Sequence, residues 1–183
     1  MHKYLICLLT ILCSFTTNAL EIEGIHIPET LRSDLQLNGA GVRSKFFFKI
    51  YIAELYLQHP STKSQEILDT PGRKRMTMHI LYDEVGKEKL IDGWNDGFTG
   101  NLTSDQLKAL APRIKKFNEL FVDVRKGEEI ILDYTPDLGT TVTIAGNNKG
   151  TIQGADFNRA LLSIWLGDEP VGDDLRNSLL GIK

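Results

Sequence analysis

Leu37-Asn38-Gly39-Ala40-Gly41-Val42-Arg43 leads, past Ser44, into Lys45-Phe46-Phe47-Phe48-Lys49-Ile50-Tyr51-Ile52-Ala53-Glu54-Leu55-Tyr56-Leu57. Phe46, Phe48, Ile50, Ile52 and Tyr56 recur with the two-residue period of a strand, which predicts a strand over 45–58. These residues are expected on its core face, with Glu54 the exception. The opposite row, Lys45, Phe47, Lys49, Tyr51, Ala53, Leu55 and Leu57, is mixed in character, as on a sheet face that lines a cleft or is partly wet. Asn38 to Gly41 reads as a turn, because glycine accepts positive φ at little cost. A hairpin from about 34 to 58 is therefore expected.

Outward from this hairpin, further strands are expected near 20–27, 34–40, 75–82, 128–135, 140–145 and 149–153. Helices are expected near 62–69, 86–98, 104–121, 156–166 and 173–180. Leu90, Ile91, Trp94 and Phe98 form a helical stripe. Thr103-Ser104-Asp105-Gln106 is a capping-box pattern that opens the next helix. Pro112 should kink or divide that helix, since proline removes a backbone donor and clashes with the preceding turn.

Residues 1–19 read as a cleavable export signal. His2 and Lys3 give a basic start, Tyr4 to Phe15 an apolar run, and Thr17-Asn18-Ala19 a small-x-small site, with cleavage between Ala19 and Leu20. The run is about 12 residues against the roughly 20 that span a bilayer, so no stable membrane span is expected after cleavage. A periplasmic or secreted location follows. Residues 20–183 then form one domain. Both cysteines, Cys7 and Cys13, leave with the leader, removing disulfides and thiol chemistry from the mature chain. The net charge of −3 points away from nucleic acid. His26, His59 and His79 show no metal-ligand spacing, and neither metal nor cofactor is expected. The oligomeric state is left open.

Nucleophile-elbow, zinc-protease, phosphate-loop and dinucleotide signatures are absent. The hairpin remains as the place for chemistry. Arg43, Lys49 and Tyr51 share a face if the strand runs regularly. A guanidinium beside a phenol on a partly apolar surface suits a carboxylate, enolate or phenolate carried on an apolar body. The other reading of the same residues is two surface charges and a tyrosine packed on the sheet.

The 37–43 and 45–57 segments resemble the opening hairpin of the chalcone isomerase family. Trp94, Lys116-Phe117-Asn118-Glu119-Leu120-Phe121, Ile164-Trp165-Leu166-Gly167, Pro170-Val171 and Leu179-Leu180-Gly181 extend the resemblance over nearly all of residues 20–183, most closely to its exported bacterial branch. The resemblance implies an α+β fold, a large and mostly antiparallel sheet with helices over one face and a cleft between them. In plant members it implies a cofactor-free ring closure. There an arginine after the glycines stabilises a phenolate, while a threonine on the next strand and a tyrosine from the helical region support an enolate through water. Non-catalytic relatives bind fatty acids through arginine and tyrosine. Arg43 matches the arginine and Tyr51 stands at the threonine position. The helical tyrosine has no counterpart between Tyr82 and Tyr134, where Asn95, Phe98 and Asn101 occupy the region. Each lost polar partner of a developing charge costs on the order of 100-fold in rate.

Three functions are consistent with these residues. One is a binder of a small apolar acid or lipid, anchored by Arg43 with Lys49, Tyr51, Asn95, Phe98 and Asn101 as candidate contacts. The second is a cofactor-free isomerase of the intramolecular lyase type, with Arg43 and Tyr51 catalytic. The third is an envelope scaffold in which Arg43 caps the hairpin by bonding backbone carbonyls.

Overall fold

The computed structural model describes residues 20–31 and 34–182. The expected leader, with Ala19, lies outside them. Leu20 opens a short ribbon of β1 (Leu20–Ile22) and β2 (Ile25–Ile27), which reverses at Glu23 and Gly24.

The hairpin is longer than its glycines suggest. β4 (Leu35–Lys45) runs through Asn38-Gly39-Ala40-Gly41 without turning, and the chain reverses at Phe46-Phe47 before β5 (Phe48–Leu57). With β3 (Thr30–Leu31), β6 (Lys74–Ile80), β9 (Glu129–Thr135), β10 (Gly139–Ile144) and β11 (Asn147–Ile152) it forms one antiparallel sheet, ordered β11-β10-β9-β6-β5-β4-β3. A second ribbon pairs β7 (Glu84–Val85) with β8 (Val124–Arg125).

The glycines serve close approach instead of a turn. The last helix, α5 (Asp173–Leu179), lies on β4. A Cβ at Gly39 would fall 2.1 Å from the Ser178 carbonyl oxygen, and one at Gly41 would fall 2.6 Å from Ser178 Cβ. Asn38, bulged between the register pairs Leu37–Tyr56 and Gly39–Leu55, ties this contact by donating to the Leu179 carbonyl at 2.7 Å.

The expected core face of β5 is also corrected. Phe46 and Phe48 are exposed, and Ala53, Leu55 and Leu57 face the helices with Met76, Met78, Ile130, Leu132, Val142 and Ile144. Ile52 and Tyr56 are buried as expected, but on the opposite face of the sheet, and a bulge separates them from Phe48 and Ile50. Arg43 pairs with Tyr51, but Ser44 pairs with Lys49, so Ile50 is an extra residue on β5. An extra residue inverts the alternation beyond it. Phe48, Ile50 and Tyr51 consequently point to the helix side, while Lys49 turns away with Ile52, Glu54 and Tyr56.

Over the sheet lie α2 (Lys87–Asn101), α3 (Ser104–Asn118) and α4 (Ala155–Leu166), with the short α1 (Ser64–Asp69) against α4. The expected capping box closes, Thr103 Oγ1 accepting from Gln106 N at 3.3 Å and Gln106 Oε1 from Thr103 N at 2.9 Å. Pro112 is carried inside α3 and does not divide it. Trp94 of α2 stacks on Phe117, Phe121 and Trp165, with ring centroids 5.3–5.7 Å apart, in the favoured range for aromatic pairs. The α4 helix is buried almost all round because α1, α2, α5 and the sheet enclose it.

The opposite face of the sheet is covered in part by the β1–β2 ribbon. Tyr56 donates to the Pro28 carbonyl at 3.0 Å, and Lys49 forms an ion pair with Glu23 at 2.7 Å. The same face carries polar pairs, Arg75 with Asp133 and His79 between Glu54 and Glu129.

Candidate functional site

Where the β4–β5 hairpin leaves the helices, a cleft of about 160 Å³ opens. Arg43 and Tyr51 stand on its sheet side as direct cross-strand partners, so their side chains project together from one face. Met78 and Ile80 of β6 continue that wall, Leu90, Gly93 and Trp94 of α2 form the opposite one, and Ile164 and Val171 close the end. The charged lining residues are all cations: Arg43, Lys45 and Lys89. Beyond them a wider hollow of about 400 Å³ shares Lys45, Ile50, Val85, Lys89 and Gly93, and adds Phe46, Phe48, Tyr82 and the carboxylates of Glu84, Asp92 and Asp96.

Tyr51 is set by α4. Trp165 Nε1 donates to its hydroxyl at 3.1 Å, which leaves the phenolic proton free to be donated onward. Burial pushes the phenol up to about 12, against the opposing pull of the Trp165 hydrogen bond and the Arg43 charge. At neutral pH Tyr51 is therefore a hydrogen-bond donor and not a base. Arg43 donates from Nη1 to the Ser44 carbonyl, and among the described residues it has no carboxylate within ion-pair distance. Trp94, also lining the cleft, keeps a buried indole N–H with no partner among the described residues.

Of the candidate ligand contacts named from sequence, only Arg43 and Tyr51 meet in this cleft. They do so as partners on two strands, not as neighbours along one. Lys49 lies on the other face with Glu23, because the Ile50 bulge rotates it there. Asn95 is exposed and accepts from Asn118 of α3 at 2.9 Å. Phe98 is 1% exposed and packs on Phe117 and Phe157. Asn101 holds the segment after α4, donating to the Glu169 carbonyl at 2.8 Å and accepting from its N–H at 3.0 Å. Of the wall residues, Trp94 stands in the helix stripe and Ile164 in the C-terminal part of the resemblance, while Gly93 carries no sequence signal. Lys89 carries no sequence signal that separates it from other surface lysines. No group of three or more potential metal ligands occurs among the described residues.

The family model described as chalcone isomerase-like matches residues 19–181. The chain belongs to this family. Among curated proteins, none matches it by sequence. The crystal structure of a fatty-acid binding protein of Arabidopsis thaliana is similar in fold, with a TM-score of 0.69 at 15% identity, covering 86% of this chain and 92% of that one. The fold is thus the chalcone isomerase-like one, a seven-stranded antiparallel sheet with its helices on one face.

Proposed function

We propose that this chalcone isomerase-like protein is an exported, non-catalytic binder of a small apolar acid such as a fatty acid. The reading is carried by one observation: Arg43, without a carboxylate partner among the described residues, faces the Tyr51 phenol across the ladder in a cleft whose other charged groups, Lys45 and Lys89, are also cations and whose walls are mostly apolar. An entering carboxylate receives donors from Arg43 and from Tyr51, a charge-assisted arrangement that apolar walls strengthen. Its hydrocarbon lies against Met78, Ile80, Leu90 and Ile164. The inner cleft alone is smaller than the ~300–1,000 Å³ of typical ligand sites, so a long chain extends into the outer hollow. The fold's likeness to a fatty-acid binding protein supports the same reading. Export accords with a site that uses no nucleotide.

The isomerase reading needs a hydroxyl from α2 opposite Arg43, and that helix presents Lys89, Leu90, Gly93 and Trp94 to the cleft, none of which carries one. The scaffold reading draws on the bond from Arg43 to the Ser44 carbonyl, which uses one of the guanidinium's five donors and leaves others for a ligand. Mass spectrometry of an organic extract of the purified protein, together with cis-parinaric acid fluorescence, tests the proposal. Bound acid in the extract, and roughly ten-fold or greater weakening by Arg43→Gln, are expected. An empty extract with binding indifferent to Arg43→Gln sinks it, and chalcone decay above the uncatalysed rate would favour the isomerase.

A further inference from the structure

The turn between β4 and β5 carries an aromatic tip. Phe46 is 86% exposed, Phe47 99% and Phe48 57%. Tyr82, 37% exposed, meets Phe48 edge-on with centroids 5.7 Å apart, and Phe46 and Phe47 stand next to this pair at the turn. Scattered exposed apolar residues are ordinary, whereas a contiguous patch of large rings marks an interaction site. The backbone points the same way. Phe46 adopts φ 56°, a left-handed conformation that suits glycine or asparagine and is rare for a bulky ring. The chain keeps phenylalanine where a smaller residue would relax the turn.

The charges beside the tip are mixed, and lysines stand at its base. Lys45 and Lys49 flank the three phenylalanines in the chain, and Lys89 lines the hollow beside them. Glu23 holds Lys49 at 2.7 Å, and Glu84 is paired with Arg125 at 3.0 Å. Asp92 and Asp96 line the same hollow from α2, as Lys89 does. Rings at the apex with lysines at the base match a water–lipid boundary, where aromatic rings settle among the headgroups and lysine stems snorkel to phosphates. Phe46 and Phe48 also line the outer hollow that leads to the Arg43 cleft.

We propose that the Phe46-Phe47-Phe48 tip docks on an anionic lipid bilayer, its rings entering the headgroup region while Lys45 meets lipid phosphates. Docked in this way, the mouth of the hollow faces the lipid, and an apolar ligand passes between membrane and cleft without crossing water. The docking itself stands whether or not the cleft binds a fatty acid.

The test uses the protein purified after expression of the full chain and sedimented with phosphatidylglycerol or phosphatidylcholine vesicles. Phe47 lines neither the cleft nor the hollow, so Phe47→Ser should leave Tm and cis-parinaric acid binding unchanged. Wild type is expected to pellet with the phosphatidylglycerol vesicles, and Phe47→Ser to partition roughly ten-fold or more weakly. Binding to phosphatidylcholine should be weaker. In Phe47→Trp the new indole should shift its emission to the blue when phosphatidylglycerol vesicles are added, against a background from the buried Trp94 and Trp165. Equal pelleting of wild type and Phe47→Ser, or no pelleting, overturns the proposal. So does pelleting indifferent to lipid charge. Self-association lost in Phe47→Ser, with no vesicle binding, would make a second copy of the chain the occupant and would also overturn it.

Discussion

Arg43 and Tyr51 are direct partners across the β4–β5 ladder, and the Tyr51 hydroxyl is held from behind by Trp165 Nε1 at 3.1 Å. The guanidinium therefore stands beside a phenol whose rotation is already fixed. Such preorganisation lowers the ordering cost of binding an anion. The same relay, indole to phenol to ligand, makes the phenol a better donor than it would be alone.

Removing the phenol tests both halves of this relay. Tyr51→Phe leaves the Trp165 N–H buried and unpaired, and is expected to cost about 1–3 kcal/mol of stability while weakening acid binding. The wild type should also lose stability in alkali. Tyr51 is raised from its ordinary 10 to about 12, so the native state keeps a proton that the unfolded chain releases. That contribution is fully present below pH ~10 and is lost as pH rises through about 12, an effect of about 3 kcal/mol. Urea unfolding at several pH values should show this fall, and a shallower one in Tyr51→Phe. Identical slopes would mean that the phenol is not buried.

Gly93 offers a way to fill the cleft without damaging the fold. It sits inside α2, lines both the cleft and the hollow, and has no atom within 4 Å of the place a Cβ would take. Gly93→Leu should hold or raise Tm, because glycine in a helix interior costs about 1 kcal/mol. It should reduce cis-parinaric acid binding by roughly ten-fold or more by occupying the ligand's space. Undiminished binding would show that the ligand lies elsewhere.

Part of this site was legible in sequence. The alternation across 48–57 identified the strand, and the helix stripe named Trp94. What misled is specific. Asn38-Gly39-Ala40-Gly41 has turn composition, yet its glycines make room for α5, more than 130 residues later in the chain. Turn composition and close approach favour the same residue, so composition alone does not separate them. The Ile50 bulge leaves no mark on the alternation of apolar residues, yet it exchanges the faces of Phe48 and Lys49. Trp165 reaches Tyr51 across a separation of 114 residues, which no local pattern encodes.

The α5 contact can be checked directly. Gly39 is not in the left-handed region, so Gly39→Ala adds no backbone strain at this position and only brings a Cβ against the Ser178 and Leu179 carbonyl oxygens, at 2.1 and 2.7 Å. Backbone cannot swing aside as a side chain can, and α5 must lift from β4. Chemical denaturation should show a loss of about 1–3 kcal/mol, at the upper end of overpacking effects. Had these glycines formed a turn, the same change at a permitted φ would be nearly neutral, so an unchanged midpoint would contradict the observed contact.

His79 sets a pH dependence on the other face of the sheet. Its Nε2 meets Glu54 Oε1 at 2.6 Å and its Nδ1 meets Glu129 Oε1 at 3.0 Å. Burial alone would lower the imidazole's proton affinity, but the hydrogen bond to Glu54 and the charges of Glu54 and Glu129 outweigh it, and the pKa is raised above its ordinary 6.5. Only the protonated ring donates to both carboxylates at once. The native state thus holds a proton that the unfolded chain releases near pH 6.5. The resulting stabilisation is fully present below that pH and is lost as pH rises through the native value. Tm measured from pH 5.5 upward should fall across this window, and the fall should disappear in His79→Gln. His79→Leu should cost about 3 kcal/mol, because Glu54, 3% exposed, loses its buried partner. A Tm that rises across the same interval would mean that the ring is neutral in the native state and that its desolvation outweighs the two carboxylates.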